Sequence, residues 1–429
     1  MSITWKKLGL LIFVALAVSR TEARDLVVMA GPAPHELCPV TLTLGPDQFW
    51  FPLAEGDWKL VCEGEEIPLQ VIRRDVPTYG FQLSPEGSFV VPFSHEVWEL
   101  NFIVTGMKPL EKRVYQIVNG KAASPNAVAL SRDPEKIDIQ IGGKPLTIFK
   151  YAVNEKQPRP IFYPLFGPNG ARMTRGYPME SFPGEHTDHP HQQSFWVSHG
   201  DVNGVDFWAL GAKQGYQRVN EIALQDQGPV LGLIETMIDW ESVAGDKIIQ
   251  ERRAVTFWGT SDAARMIDFD LTFVAAYGDV TLGDTKEGGL VSLRIASTLC
   301  ESQDAGKTGG TITNSNGQVH MDQTWGKPAP WCDYSGPVGG ITAGLSIMDN
   351  PENLFYPTPY HVRDYGLFTA NPFGLSYFMG KEHNGSRTLP YGQAWHLRYR
   401  VYIHDGDVKS GNVAEAYVDY IDPPRVILE

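Results

Sequence analysis

The stretch Ile267-Asp268-Phe269-Asp270-Leu271-Thr272-Phe273 decides the fold. In an extended chain Ile267, Phe269, Leu271 and Phe273 point to one side and Asp268, Asp270 and Thr272 to the other, so the segment predicts a strand with one buried face. Val40 to Leu44, Ile137 to Ile141 and Leu397 to Ile403 alternate in the same way. Arg253 to Trp258, Leu290 to Ala296 and Ile341 to Met348 are further strand candidates. One helical window stands out, Val413 to Ile421, stopped by Asp422-Pro423-Pro424. With 43 Gly and 31 Pro to make turns, the chain is expected to be all-β: a large β-sandwich, a small N-terminal β domain and a short C-terminal helix.

Lys6 and Lys7 followed by the apolar run Leu8 to Val18, with Thr21-Glu22-Ala23 as a cleavage site, predict a signal peptide over residues 1–23. That run is short of the roughly 20 residues a spanning helix needs, and no later stretch supplies them, so a secreted or periplasmic location without an integral membrane span is expected. Residues 25–120 hold several short strands and no histidine cluster, which suggests a small β-sandwich domain. A polar linker is expected around Lys121 to Pro134, and a larger β-sandwich domain over 135–429. The net charge of −14 disfavours nucleic acid and anionic membranes as partners. Cys38 with Cys62 and Cys300 with Cys332 are natural disulfide pairs by spacing; buried thiols are the alternative.

Four of the eleven histidines, His186, His189, His191 and His199, fall within fourteen residues. Imidazole titrates near neutrality and ligates metals. Pro190 should hold His189 extended, which would turn His189 and His191 to the same side. His186, Asp188, His189 and His191 together could ligate a divalent metal, although the spacing fits no established zinc pattern; polar loop residues bonded to backbone are the plain alternative. Glu287 precedes a strand. Trp325, Lys327, Asp333 and Tyr334 crowd one loop region, and Tyr356 to Gly366 is a proline-stiffened segment carrying His361 and Arg363. Gly167 to Gly170 and Gly288-Gly289 lack any phosphate-loop context and are expected to be turns. Neither GxSxG nor HExxH occurs.

Several of these motifs, in order, resemble an exported bacterial family, DUF6807, also called PmoA-like. They are Asp188-His189-Pro190-His191 with Trp196, Gly200 to Trp208, Lys286 to Gly289, Trp325 to Lys327, Asp333 to Gly336, Tyr356 to Phe368 and Asn371 to Gly374. The resemblance covers about Phe162 to Asp407 and implies a galactose-mutarotase-like supersandwich, a fold shared by sugar epimerases, polysaccharide lyases and some glycoside hydrolases. Where the family pattern has a further His and Arg, this chain has Gln192 and Gln193, which can neither titrate nor offer a guanidinium fork.

A secreted carbohydrate-active enzyme acting on a small-molecule or oligosaccharide substrate is the leading expectation. His189, His191 and His361 would exchange protons with Glu287 or Asp333 as carboxylate counterparts, and Arg363 or Lys327 would steady negative charge. Trp196, Trp325 and Tyr334 would stack on the sugar, and Asp201 and Asn203 would bind its hydroxyls. A metal-binding protein and a non-catalytic carbohydrate-binding or envelope module are the alternatives.

Overall fold

The computed structural model describes residues 24–49, 51–54, 56–84, 87–303 and 306–429; the expected leader lies outside them. Two eight-stranded sheets form the large unit. The first runs, neighbour to neighbour, Tyr216–Gln227, Leu231–Glu241, Lys247–Trp258, Ala264–Val274, Ala394–Asp405, Ile341–Asp349, Trp331–Val338 and Thr311–Asn314. The second runs Tyr360–Val362, Leu367–Ala370, Gly288–Arg294, Phe195–His199, Ile161–Leu165, Lys144–Lys150, Lys136–Ile141 and Val128–Arg132. Neighbours are antiparallel in both sheets. No helix among the described residues is long and apolar enough to cross a membrane.

The alternating stretch does what its pattern predicts. Ile267, Phe269, Leu271 and Phe273 are buried in one cluster with Phe162, Phe195, Val197 and Leu293 of the second sheet. Phe269 meets Phe195 at 4.9 Å and Phe162 edge-on at 5.7 Å between ring centroids. Each such buried ring or aliphatic side chain contributes roughly 1.5–3 kcal/mol, so this interface is the main source of stability. On the outer side Asp268 accepts from Arg400 at 2.6 Å and Asp270 accepts from His396 at 2.8 Å.

A seven-stranded sheet forms the small unit: His35–Leu44, Gly87–Met107, Glu65–Ser84, Trp58–Cys62, Lys112–Asn119, Asp25–Met29 and, arriving from the far end of the chain, Arg425–Leu428. Its own core includes Leu26, Val40, Leu60, Leu100 and Phe102. The helix Val413–Ile421 lies against the strand His35–Leu44, where the buried His35 and Asp419 side chains are 2.7 Å apart. Gln70 joins the units, accepting from the Val230 and Leu231 amides at 3.1 and 2.9 Å.

Three expectations are corrected. The segment read as a linker carries an edge strand, Val128–Arg132, because Val128 and Leu130 bury against the large core. Gly288-Gly289 opens a strand rather than a turn: a Cβ on Gly289 would collide with the Thr369 hydroxyl, and one on Gly288 with the His199 ring. No disulfide forms among the four cysteines; Cys38, Cys300 and Cys332 are buried thiols and Cys62 is half-buried. A thiol reagent should therefore titrate four groups in denatured, unreduced protein, and at most Cys62 readily in the native state; titration of two or none would contradict this arrangement.

Candidate active site

Strand register places the site on the outer face of the second sheet. Phe195 and Val197 face the core, so Trp196 faces outward. Trp196 pairs with Ser292, Ser292 with Thr369, and Thr369 with His361, which makes one outward row across four strands. Arg294, two residues from Ser292, shares that face. Loops before and after these strands rise over the row and leave a cleft of about 380 Å³. His189, His191, Gln192, Asp206, Trp208, Lys286, Glu287, His361, Arg363 and Tyr365 line it.

Three buried arginines hold the histidine loop from beneath. Arg175 donates to Asp188 Oδ1 at 2.5 Å and to the carbonyls of His186 at 3.2 Å and His189 at 3.3 Å. Arg294 donates to the same Asp188 oxygen at 2.8 Å and to the Gln192 side chain. Arg159 donates to the carbonyls of Phe207, at 2.7 Å, and His191. The backbone thus bends as a turn, with the Gln192 amide bonded to the His189 carbonyl at 3.0 Å. His189 is not extended, as Pro190 suggested, but sits at φ 45°. Such a conformation is unfavourable for a non-glycine residue and persists only where its surroundings fix it, here through the Arg175 bond to its carbonyl. His189 and His191 still come together, with ring centroids 5.6 Å apart.

The imidazoles differ in their partners. Burial opposes the charge on Asp188, but Arg294, His189 and Arg175 outweigh it and hold the carboxyl at about 2. It is therefore ionised near neutrality and accepts from His189 Nδ1, leaving that ring's Nε2 to exchange protons. His189 stacks on Tyr365, 5.1 Å between centroids with planes 9° apart. Burial first, then the Arg363 and Lys286 charges, push His361 down to about 4. Its Nδ1 donates to the Lys286 carbonyl at 2.7 Å, which fixes the tautomer and leaves Nε2 unprotonated. Burial and the Arg159 charge push His191 to about 4 as well. Two imidazoles in one cleft, one backed by a carboxylate and one by a carbonyl, each present Nε2 for proton exchange with a ligand.

Of the expected catalytic set, His189, His191, Glu287, His361 and Arg363 converge. Asp333 does not: it is buried in the first sheet, accepting from Ser346 at 2.6 Å and His404 at 2.9 Å. The expected binding residues lie outside the cleft. Trp196 is buried beneath it against Trp208, at 5.4 Å. Trp325 stands edge-on behind His361 at 6.2 Å. Tyr334 is buried with its hydroxyl on the Arg363 backbone, and Lys327 is an exposed turn residue. Asp201 accepts from the Gly204 amide, and Asn203 bonds Asp279 and Thr281, so both lock a turn.

The proposed metal set does not gather its donor atoms within 4.8 Å, and its carboxylate, Asp188, is committed to two arginines. Among the described residues the group of three potential ligands with donor atoms within 4.8 Å of one another is His35, Cys38 and Asp419, elsewhere in the fold. Sequence reasoning missed Arg159, Arg175, Arg294 and Asp206. Arg294, a charge ending an otherwise uncharged strand, carried the one visible signal.

Asp188→Asn would leave Arg175 and Arg294 facing a neutral amide. The loss, discounted because Asp188 is 35% exposed, should be about 2 kcal/mol in chemical unfolding. The wild-type carboxylate stabilises fully above its ordinary 3.8, and that contribution disappears as pH falls through about 2; the Asn variant should lack this acid step. His191 and His361 act over a higher range. The unfolded chain takes up their protons first, so stability should fall as pH drops from 6.5 to about 4, and His361→Gln should flatten that slope in a pH series of melts.

No curated protein sequence matches the chain. Among solved structures, a protein in the glycosyl hydrolase family 38 from Enterococcus faecalis is similar over 95% of this chain, at 10% sequence identity and a TM-score of 0.41. The chain spans about half, 47%, of that protein, and a likeness of this size carries no argument about activity. A sequence model of a family of unknown function matches residues 136–418, most of the chain, and the protein belongs to that family, DUF6807.

Proposed function

We propose that the protein is an exported carbohydrate-active enzyme that moves protons on a sugar or sugar derivative, in the manner of an epimerase or lyase. The observation that supports this most is the pairing, in one cleft, of His189 backed by the ionised Asp188 with His361 held neutral. Removing a proton from carbon and returning one elsewhere is work that two imidazoles facing one cleft can share. Arg363, in the same wall, would steady the negative charge that develops when the proton leaves.

Hydrolysis is the second reading, because two carboxylates, Glu287 and Asp206, also line the cleft. Asp206 is partly occupied, accepting from the Trp208 and Ala209 amides at 2.7 and 2.9 Å, and Glu287 is 3.4 Å from Lys286. Asp206 is therefore the less free of the two carboxylates.

The test is to incubate the protein with sugars, sugar acids and their oligosaccharides in D2O and follow carbon-bound deuterium by NMR. Proton transfer predicts solvent deuterium in the product, with His189→Ala and His361→Ala each slowing the exchange by about 10²-fold or more. Glycosidic cleavage without deuterium uptake, abolished by Glu287→Gln, would replace this reading by hydrolysis.

A further inference from the structure

We infer that the ligand of this cleft carries a carboxylate, seated on the guanidinium of Arg363. The inference rests on the reading of the cleft as a sugar site and names the kind of sugar it takes.

Every other arginine around the cleft is spent on the protein itself. Arg159 is used by two carbonyls, Arg175 by Asp188 and several carbonyls, and Arg294 by Asp188 and Gln192. Arg363 is different. Among the described residues its guanidinium has no carboxylate or carbonyl partner, and its Nε is buried without a hydrogen bond. Its neighbour is the Tyr365 ring, 5.5 Å away. A half-buried cation left in this way is costly unless something completes it.

The residue is also held in place. The Tyr334 hydroxyl lies 3.0 Å from the Arg363 amide, 2.9 Å from its carbonyl and 3.0 Å from that of Leu367, so the base of the side chain is anchored in the core. Anchoring of this kind lowers the entropy lost on binding.

The remaining charges of the cleft do not compete for Arg363. Lys286 and Glu287 face each other at 3.4 Å, Asp206 is turned to backbone amides, Asp188 belongs to Arg175 and Arg294, and His191 and His361 are neutral. In a chain of net charge −14 the unspent charge of the cleft is positive. A planar fork of this type matches a carboxylate in two parallel hydrogen bonds. The geometry therefore points to a uronic or aldonic acid rather than a neutral hexose.

Calorimetry on the full mature chain, with galacturonate, glucuronate, galactose, glucose, galactose 6-sulfate and a sugar-free hydroxycarboxylate, tests this. The acid sugars should bind about tenfold or more tighter than their neutral partners, with a preference that weakens as salt rises. Arg363→Gln should abolish that preference and Arg363→Lys should keep part of it; the salt dependence of the wild type stands as evidence even if a variant folds poorly. Equal binding of acid and neutral sugars, unchanged by Arg363→Gln, would overturn the carboxylate while leaving a sugar site. Tight binding of the hydroxycarboxylate alone would uphold Arg363 and overturn the sugar reading. A sulfate ester bound as tightly as the uronate would overturn the choice of carboxylate, and no binding by any of these probes at millimolar concentration would overturn the proposal.

Discussion

One carboxylate, Asp188, fixes the arrangement of the cleft. It faces the guanidiniums of Arg175 and Arg294, which are almost wholly buried, and the ring of its neighbour His189. Two buried cations would repel each other and pay heavily for desolvation; burial and its neighbour Arg294 already push Arg175 down to about 10. Asp188 and a ring of backbone carbonyls offset that cost. Because those carbonyls belong to the histidine loop, neutralising the arginines and shaping the loop are the same event. The positive φ of His189, the turn at Pro190 and the meeting of two imidazoles all follow from it.

The sandwich supplies the stiffness that this needs. Alternation along each strand separates a face that packs from a face that can carry chemistry. Tyr360 and Val362 enter the core and His361, between them, faces out. Phe195 and Val197 do the same for Trp196. The outward row is then tied sideways, as in the 2.7 Å contact between the Ser292 and Thr369 hydroxyls. Loops anchored on such a row have little freedom to wander, and functional groups on irregular segments gain the precision of the sheet beneath.

The fold was largely legible because its signal is local. Period-two alternation at Ile267 to Phe273 or Leu397 to Ile403 survives reading one segment at a time. The helix Val413–Ile421 could be bounded by its own prolines. Half of the site was legible for another reason: histidines beside carboxylates are uncommon in a core, so His189, His191, His361, Glu287 and Arg363 stood out by chemistry. Tyr334 and Asp333 stood out equally and are buried, because composition does not reveal which face of a strand a residue occupies until its partners are known. Trp196 failed in the same way: the sequence shows an aromatic beside a histidine loop but not that the loop folds over it. The arginines beneath the loop, Arg294 apart, were invisible for a further reason. Arg159 and Arg175 flank the strand Ile161–Leu165 and Arg294 ends Gly288–Arg294, and only the pairing of distant segments brings all three under a single turn.

The pairing of Asp25–Met29 with Arg425–Leu428 bears on how the molecule is made and unmade. The small sheet gains its outermost strand from a segment about 400 residues away along the chain, and so long a separation makes that ladder one of the last contacts to close. Leu26 lies opposite Leu428 and Met29 opposite Arg425, so the two outward-leading chain segments leave from the same end of the ladder. A force drawing them apart would open it one rung at a time, like a zipper, instead of shearing every bond at once. The seam that locks late is also the seam that yields first under tension, while the two-sheet core and the cleft upon it lie behind it.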